Sequence, residues 1–441
     1  MKKILIITDW FAPENEIASV RTTKLAKYLS MSGYNISVVT KVADLKIKDS
    51  LLEQDMEYVH ELIRIDRDKF FKLASSFNMN LRLFLSKKSK NNKKSENKEQ
   101  IEIISVSPTF LENLRRIISF FIKRICDHFF SKKVVSALNG IDYDIVISTY
   151  GDFSPHLIAS RLKANRKSKF KWIADFRDPV YSGFQLKFLK LFLRKYFNKV
   201  SKKADAITAV SQGIFEIHKN DTTQEGHVIT NGYDTDDIKS IIPFDFKNQK
   251  INFVYTGALY AGRSDFSPVF NAIHDFIETG VFDINDLAVH YAGKDFRALK
   301  KQASNFGMEP ILYDHGFVPR EQSLSMQSGA DILLLASWNC TGYTGVITGK
   351  FLEYMMIDKP ILSIITGNIP NSEIKKIMQK ANNGFCYEQA MRDTDNEKLK
   401  DFLLAAYKEF KNGGFIKLNP NKEYIEKFNY KNIAKQFESL F

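Results

Sequence analysis

The sequence predicts a doubly wound α/β fold built twice in succession along the chain. Three observations carry this: short apolar runs that are continuous rather than alternating, helix-length amphipathic stretches between them, and a polar break near 235–250 after which the alternation restarts. A strand that is apolar at every position is one covered by helices on both faces, as in parallel sheets. In the first unit strands are expected at 2–8 (KKILIIT), 35–40 (NISVVT), 144–149 (DIVIST), 171–176 (KWIADF), 206–211 (AITAVS) and 227–231, with helices at 18–32, 154–164 and 184–203. Asn231-Gly232 reads as a turn into the polar joint. In the second unit strands are expected at 251–257, 287–293, 310–315, 332–337 and 360–365, and helices at 266–278, 295–306, 320–329 and 349–357. Ligands of such sheets bind outside the carboxyl ends of the strands, so a cleft between two facing units is the expected site.

Composition narrows the function classes. A chain of 441 residues with 44% hydrophobic and 26% charged residues has the makings of full cores and is neither disordered nor a disulfide scaffold. No apolar run approaches the roughly 18 residues of a spanning helix. The N-terminal run ends in Asp9 after a short apolar core and reads as a buried strand rather than a secretory signal. Cys126, Cys340 and Cys386 are far apart, as expected in a reducing cytoplasm, and form no metal-ligand spacing.

The net charge of +13 is local. Residues 81–140 carry 13 basic and 5 acidic residues, and residues 184–203 carry 7 basic and no acidic ones, so the rest of the chain is close to neutral. Within an insert at about 41–105, KKSKNNKKSENKEQ (87–100) is too polar to pack and is expected to be a mobile loop. In 109–135, Leu114, Ile117, Ile118, Phe121, Ile125, Cys126 and Phe129 recur at helical spacing with Arg115, Arg116, Lys123, Arg124 and Lys132 among them; 184–203 repeats that chemistry. Basic residues interleaved with Phe, Leu and Ile suit a helix lying on an anionic membrane better than a groove for a phosphate backbone, so no nucleic-acid partner is expected. Ordinary core helices with solvated faces are the plainer alternative.

Several segments follow one another in a recognisable order: TDWFAPENEIASVR (8–21), KWIADFRDP (171–179), ADAITAVSQGI (204–214), VITNGYD (228–234), FVYTGALYAGR (253–263), DHGFVPREQ (314–322) and GVITGKFLEYMMIDKPI (345–361). Together they resemble the family-4 glycosyltransferases of GT-B fold found in bacterial surface-polysaccharide assembly, from residue 3 to about 366 outside 41–140. The resemblance implies two Rossmann-like domains facing a cleft, 1–235 binding an acceptor and 236–420 binding a nucleotide-sugar, with a C-terminal helix (421–441) returning to the first domain. It also implies transfer with retention of anomeric configuration and no bound metal or other cofactor. With the basic helices, it points to a lipid-linked acceptor and a cytoplasmic enzyme peripheral to the inner face of the membrane.

A donor of this kind needs cationic side chains and backbone N–H groups on its departing diphosphate. Arg263 stands where the family has a phosphate-binding lysine, after the strand-end Gly257. Lys350 opens a helix after a loop with glycines at 342, 345 and 349, so Gly345 and Gly349 allow close backbone approach to phosphate. Glu353, three residues on, matches the second Glu of the family's Glu-x7-Glu motif, which the resemblance assigns to the ribose hydroxyls. The first Glu is missing: Gly345 occupies its place, and no acid occurs from 332 to 352. Where the family often has a catalytic His, this chain has Arg177 between Asp175 and Asp178, and Arg177 or Asp178 is expected to face the reacting sugar. His156, after the 144–149 strand, is a further catalytic candidate or a structural hydrogen-bonding residue. The loop after the first strand is expected to be an acceptor and phosphate loop formed by Ala18, Ser19 and Arg21: Ala18 and Ser19 stand in for the family's paired glycines as backbone contacts to sugar or phosphate, Glu16 would repel phosphate, and Arg21 offsets Glu16 or simply bridges to it.

Two look-alikes fail. Gly345-x3-Gly349-Lys350 has one residue too few between its glycines and Phe351 after the lysine, so it is no ATP-binding loop. Asp-x-Asp pairs recur at 66/68, 142/144, 234/236 and 393/395, a repetition that reflects composition, and no metal site is expected among them. Besides transfer, a nucleotide-sugar 2-epimerase of the same fold and, in a different class, a basic nucleic-acid-binding protein remain as alternatives.

Overall fold

The computed structural model describes residues 1–43, 47–67, 110–164, 169–181, 186–260, 262–414 and 416–441, with the side chains of 110–112 left aside. The expected loop at 87–100 lies outside the described residues.

The first sheet holds seven strands, β1 (Lys3–Ile7), β2 (Asn35–Lys41), β3 (Glu61–Ile65), β4 (Ile145–Tyr150), β5 (Lys171–Phe176), β6 (Ala206–Ala209) and β7 (Gly226–Val228), in the order β3-β2-β1-β4-β5-β6-β7. All its pairings are parallel; Leu5 lies between Ser37 on β2 and Val146 on β4. The second holds β8 (Ile251–Thr256), β9 (Leu287–Ala292), β10 (Leu312–Asp314), β11 (Ile332–Trp338), β12 (Ile361–Thr366) and β13 (Gly384–Glu388), in the order β10-β9-β8-β11-β12-β13, again parallel.

The continuous apolar runs are explained by two cores per sheet. Leu5 and Ile7 point to one side, where α3 (Phe110–Ala137), α4 (Phe153–Ala164) and α5 (Lys187–Ser201) cover them through Phe130, Ile158 and Phe197. Ile4 and Ile6 point to the other, where α1 (Ile17–Met31) brings Leu25 and Leu29. The short helices α2 (Ser50–Gln54) and α6 (Gln212–His218) complete the unit. The second sheet is treated likewise by α7 (Ser267–Glu278), α8 (Phe296–Ser304), α9 (Arg320–Gly329), α10 (Gly349–Met355), α11 (Glu373–Ala381) and α12 (Arg392–Gly413). After α13 (Lys422–Glu426), α14 (Tyr430–Glu438) returns to the first unit, burying Tyr430, Ile433 and Phe437 against Leu25 and Leu29.

Two sequence expectations change. The stretch 41–105 is not all insert: β3 within it pairs with β2 as the edge of the first sheet. The polar joint is not merely solvated. The Lys24 ammonium on α1 sits 2.8 Å from Asp234 and 2.6 Å from Asp55 and also contacts Asp237, while Lys27 reaches Asp234 and Asp236 at 2.8 and 2.7 Å. Burial opposes ionisation of Asp234, but Lys24, Lys27 and the Tyr28 hydroxyl hold its carboxyl well below the usual range. The charges that look like a linker in sequence are therefore a buried clasp between α1 and the joint.

Candidate functional site

In each sheet the strand order reverses beside the first strand, between β1 and β4 and between β8 and β11, and loops leaving those carboxyl ends form the natural ligand crevice. Gly257 follows β8 with φ +144°, a conformation that favours glycine, and a Cβ there would lie 3.9 Å from the Lys350 side chain. After β11, Thr348 caps α10 by accepting from the Phe351 N–H at 3.3 Å, which sets Lys350 and Glu353 on one face of the first turn. The Lys350 ammonium donates to Glu353 Oε2 at 2.5 Å and to Ser323 Oγ at 3.2 Å. Glu353 also accepts from Gln327 Nε2 at 3.2 Å and Arg320 Nε at 3.3 Å. Burial would raise the Glu353 carboxyl, but Lys350 and Arg320 outweigh it and hold it down to about 2. Near neutral pH this group is a fixed anion that accepts hydrogen bonds and does not shuttle protons. Lys350, 24% exposed, is the cation beside it that solvent still reaches.

The first unit approaches this pair closely. A Cβ on Gly349 would lie 3.0 Å from Ile17 at the start of α1. Gly345, at φ +76°, abuts Gly213: a Cβ on Gly213 would stand 2.5 Å from the Gly345 Cα, so neither position tolerates a side chain without separating the units. Beside them the Glu373 carboxylate accepts from the Gln212 and Gly213 N–H groups at 3.1 and 2.6 Å. Arg177 donates to the Ala18 carbonyl at 2.9 Å, lies 5.3 Å over the Trp10 ring and approaches Asp178 at 3.5 Å. Arg263 lies over Trp338 and Tyr343 at 5.2 and 5.9 Å. Burial raises the Tyr343 hydroxyl and the negative Asp178 raises it further, so Asp178 of the first unit acts on the loop after β11 of the second.

Three sequence candidates lie inside the first unit instead. Arg21 is 1% exposed; it grips Asp175 through Nε and Nη2 at 2.9 and 2.7 Å and donates to the Thr230 and Ile229 carbonyls at 2.7 and 3.0 Å. It is a buried strut between α1 and β5, and it does not pair with Glu16. Ser19 is fully buried with its N–H donated to the Glu16 carbonyl, and the Ala18 carbonyl is taken by Arg177, which leaves this loop little to offer a phosphate. His156 is wholly buried and its Nδ1 lies 2.7 Å from Ser148 Oγ, which also accepts from Trp172 Nε1. Burial, only partly offset by Asp175, lowers it to about 3, and it reads as a neutral core residue rather than a catalyst. Sequence reading missed the support beneath Lys350 and Glu353: Arg320, Ser323 and Gln327 recur at i, i+3 and i+7, a polar stripe that looks like a solvated helix face until its partners are known.

On the outside of the first unit, Cys126, Phe130 and Val134 of α3 turn inward while Leu114, Ile118, Phe121, Ile125 and Phe129 are 40–54% exposed. Phe188, Leu191 and Phe192 of α5 are likewise exposed, and the Phe121 and Phe192 rings meet edge-on at 6.1 Å, joining the two helices into one apolar face. Lys123 and Arg124 are not part of its basic rim: both pair with Asp152, at 2.5 and 2.7 Å. Among the described residues no helix is long and apolar enough to cross a membrane.

No protein-family model matches the chain, and no curated protein matches it in sequence. Solved structures do match. The lipopolysaccharide outer core galactosyltransferase WaaB, in its apo form, aligns over 100% of this chain and 99% of its own at 16% identity and a TM-score of 0.57. The chain has the GT-B fold. Sucrose-phosphate synthase from Thermosynechococcus elongatus aligns over 100% of this chain and 98% of its own at 12% identity and a TM-score of 0.57. A putative UDP-N-acetylglucosamine 2-epimerase from Listeria monocytogenes does so over 100% and 95% at 12% identity and a TM-score of 0.52. These likenesses establish two Rossmann-like domains; at such identities they do not choose between transfer and epimerisation.

Proposed function

We propose that the chain is a retaining glycosyltransferase that moves a sugar from a nucleotide-sugar to a lipid-linked saccharide acceptor in cell-surface polysaccharide or lipopolysaccharide biosynthesis. The observation that carries this reading is the Lys350–Glu353 pair at the carboxyl end of β8, a fixed anion and a solvent-reachable cation 2.5 Å apart facing the other unit. In this reading the 236–420 domain takes the donor. Glu353 accepts from the ribose hydroxyls, as a carboxylate suits a vicinal diol. Lys350, with Arg263 at the edge of the cleft, meets the departing diphosphate, so leaving-group charge is stabilised without a metal. Arg177 and Asp178, positioned on the first domain, face the sugar and acceptor. The apolar face of α3 and α5, with exposed Lys132, Lys187 and Lys195 beside it, rests on the anionic cytoplasmic leaflet and brings the acceptor domain to its substrate.

The test is transfer of radiolabelled sugar from a panel of nucleotide-sugars into the lipid fraction of native membranes. Lys350→Ala and Glu353→Ala should each lower transfer by at least ~100-fold while melting as folded proteins, the scale of removing one transition-state charge contact. Wild-type transfer in both variants would remove the site assignment. Donor consumption without any acceptor would favour the epimerase reading, a distinction the fold does not make.

A further inference from the structure

Arg320 begins α9, with Pro319 before it and no side-chain cap on the helix. A cation at a helix N-terminus is electrostatically misplaced, because the backbone dipole is positive there. It is also largely withdrawn from solvent, at 14% exposure, which is costly unless the charge is paired. Three carboxylates from three different parts of the molecule pair it. Nη2 meets Asp237 of the joint at 2.7 Å, Nε donates to Glu353 of the second domain at 3.3 Å, and Nη1 lies 3.6 Å from Asp49 of the first. Burial works against its charge, and these three anions overcome that and raise its pKa well above the ordinary arginine value. Asp237 in turn holds Lys24 on α1, and Asp49 caps α2 through the Leu51 and Leu52 N–H groups.

The remaining polar residues of the same helix face serve the same pair. Ser323 takes the Lys350 ammonium at 3.2 Å, Gln327 donates to Glu353 at 3.2 Å, and both also meet Thr256 at the end of β8, at 2.9 and 2.8 Å. A local arrangement that runs against the helix dipole yet satisfies a chain of charges from α1 to Glu353 is built for that chain rather than for the helix. We infer that Arg320 is a positioning residue: its planar fork fixes the Glu353 carboxylate for a ribose diol and ties that carboxylate to the joint and to the first domain. A lysine ammonium is a single point charge and does not reproduce a fork that bonds Asp237 and Glu353 at once and lies beside a third carboxylate, Asp49.

The inference rests on the donor-site reading above, and the experiment separates the two. Isothermal titration with UDP, GDP and ADP, each against its 2′-deoxy counterpart, reads the preference for the ribose hydroxyl. In the wild type the preferred nucleotide should bind about tenfold more tightly than its deoxy form, the scale of one hydrogen bond to a charged group. Glu353→Gln should abolish that preference. Arg320→Gln should reduce it to about twofold or less while deoxynucleotide affinity stays near wild type; Arg320→Lys, which keeps charge and fold, should fall between. A structural role alone would weaken both nucleotides equally or leave the ratio intact, and either result in the Lys variant overturns the inference. If the wild type shows no ribose preference, or Glu353→Gln keeps it, the donor-site reading itself fails and the inference falls with it.

Discussion

Arg21 offers a sharp separation between a structural and a ligand-binding arginine. Its guanidinium is 1% exposed and Asp175 is 0% exposed, with two hydrogen bonds of 2.9 and 2.7 Å between them. In Arg21→Met the aliphatic stem is retained, but the Asp175 carboxylate is left buried with, among the described residues, the Thr208 hydroxyl at 2.7 Å as its one remaining hydrogen-bond partner. The Ile229 and Thr230 carbonyls also lose their donor. Removing one partner of such a pair costs about 3–5 kcal/mol, because the other charge stays desolvated. For a domain of this size that lowers the melting temperature by roughly 6–20 °C. The assay is a thermal melt followed by far-ultraviolet circular dichroism, with Arg21→Met/Asp175→Leu as companion. The double variant should recover part of the loss, since it no longer buries an unpaired carboxylate. A single variant that melts within about 2 °C of wild type yet loses transfer would refute this reasoning and return Arg21 to the ligand site.

Other expectations follow from particular contacts. Gly213→Leu drives a side chain into Gly345 and should hold the units apart, raising the radius of gyration in small-angle scattering and weakening donor affinity without lowering the melting temperature of the separate cores. Phe121→Glu/Phe192→Glu should abolish co-sedimentation with anionic liposomes and leave the melting temperature unchanged, because both rings are over 40% exposed; unchanged sedimentation would argue that the face meets no membrane. Asp127 on α3 is raised to about 7 by burial and by Asp152, with Asp9 adding to the effect and Arg124 and Arg67 opposing it. The native state thus keeps a proton that the unfolded chain releases near pH 4, so stability falls as pH climbs from about 4 to about 7. Asp127→Asn removes that dependence, and its advantage over wild type should grow across this window to a few kcal/mol (~1.4 per pH unit) and stay level above it. A constant difference at all pH values in urea titrations would contradict the assignment.

Much of the architecture is legible because its signal is local. KILII and IVIST announce buried parallel strands by themselves, and the helix expected at 320–329 stands at those residues. The edge strand Glu61–Ile65 carries no such signal, because two of the five residues of ELIRI are charged and nothing in it distinguishes an edge from a loop. The same distinction governs the site. Lys350 and Glu353 are three residues apart on one turn, so the pair is visible in sequence. Arg21 and Asp175 are partnered across 154 residues, and the first looked available for phosphate because its partner was invisible. His156 at the start of a helix gives no hint of its depth, which is set by Ser148, Tyr150, Trp172 and Phe176 around it. Arg320, Ser323 and Gln327 went unnoticed for the converse reason: a polar face reads as solvated, and burial is a property of what packs against it.

Whether the Lys350–Glu353 pair takes a nucleotide-sugar decides the proposed function. Thermal-shift measurement of the full chain against UDP-, GDP-, ADP- and dTDP-sugars reads this, because a ligand at about a hundred times its Kd stabilises the native state by about 2.7 kcal/mol. At least one donor should raise the melting temperature of the wild type by several degrees and leave that of Lys350→Ala unmoved. No shift with any donor, or an equal shift in Lys350→Ala, would contradict the account.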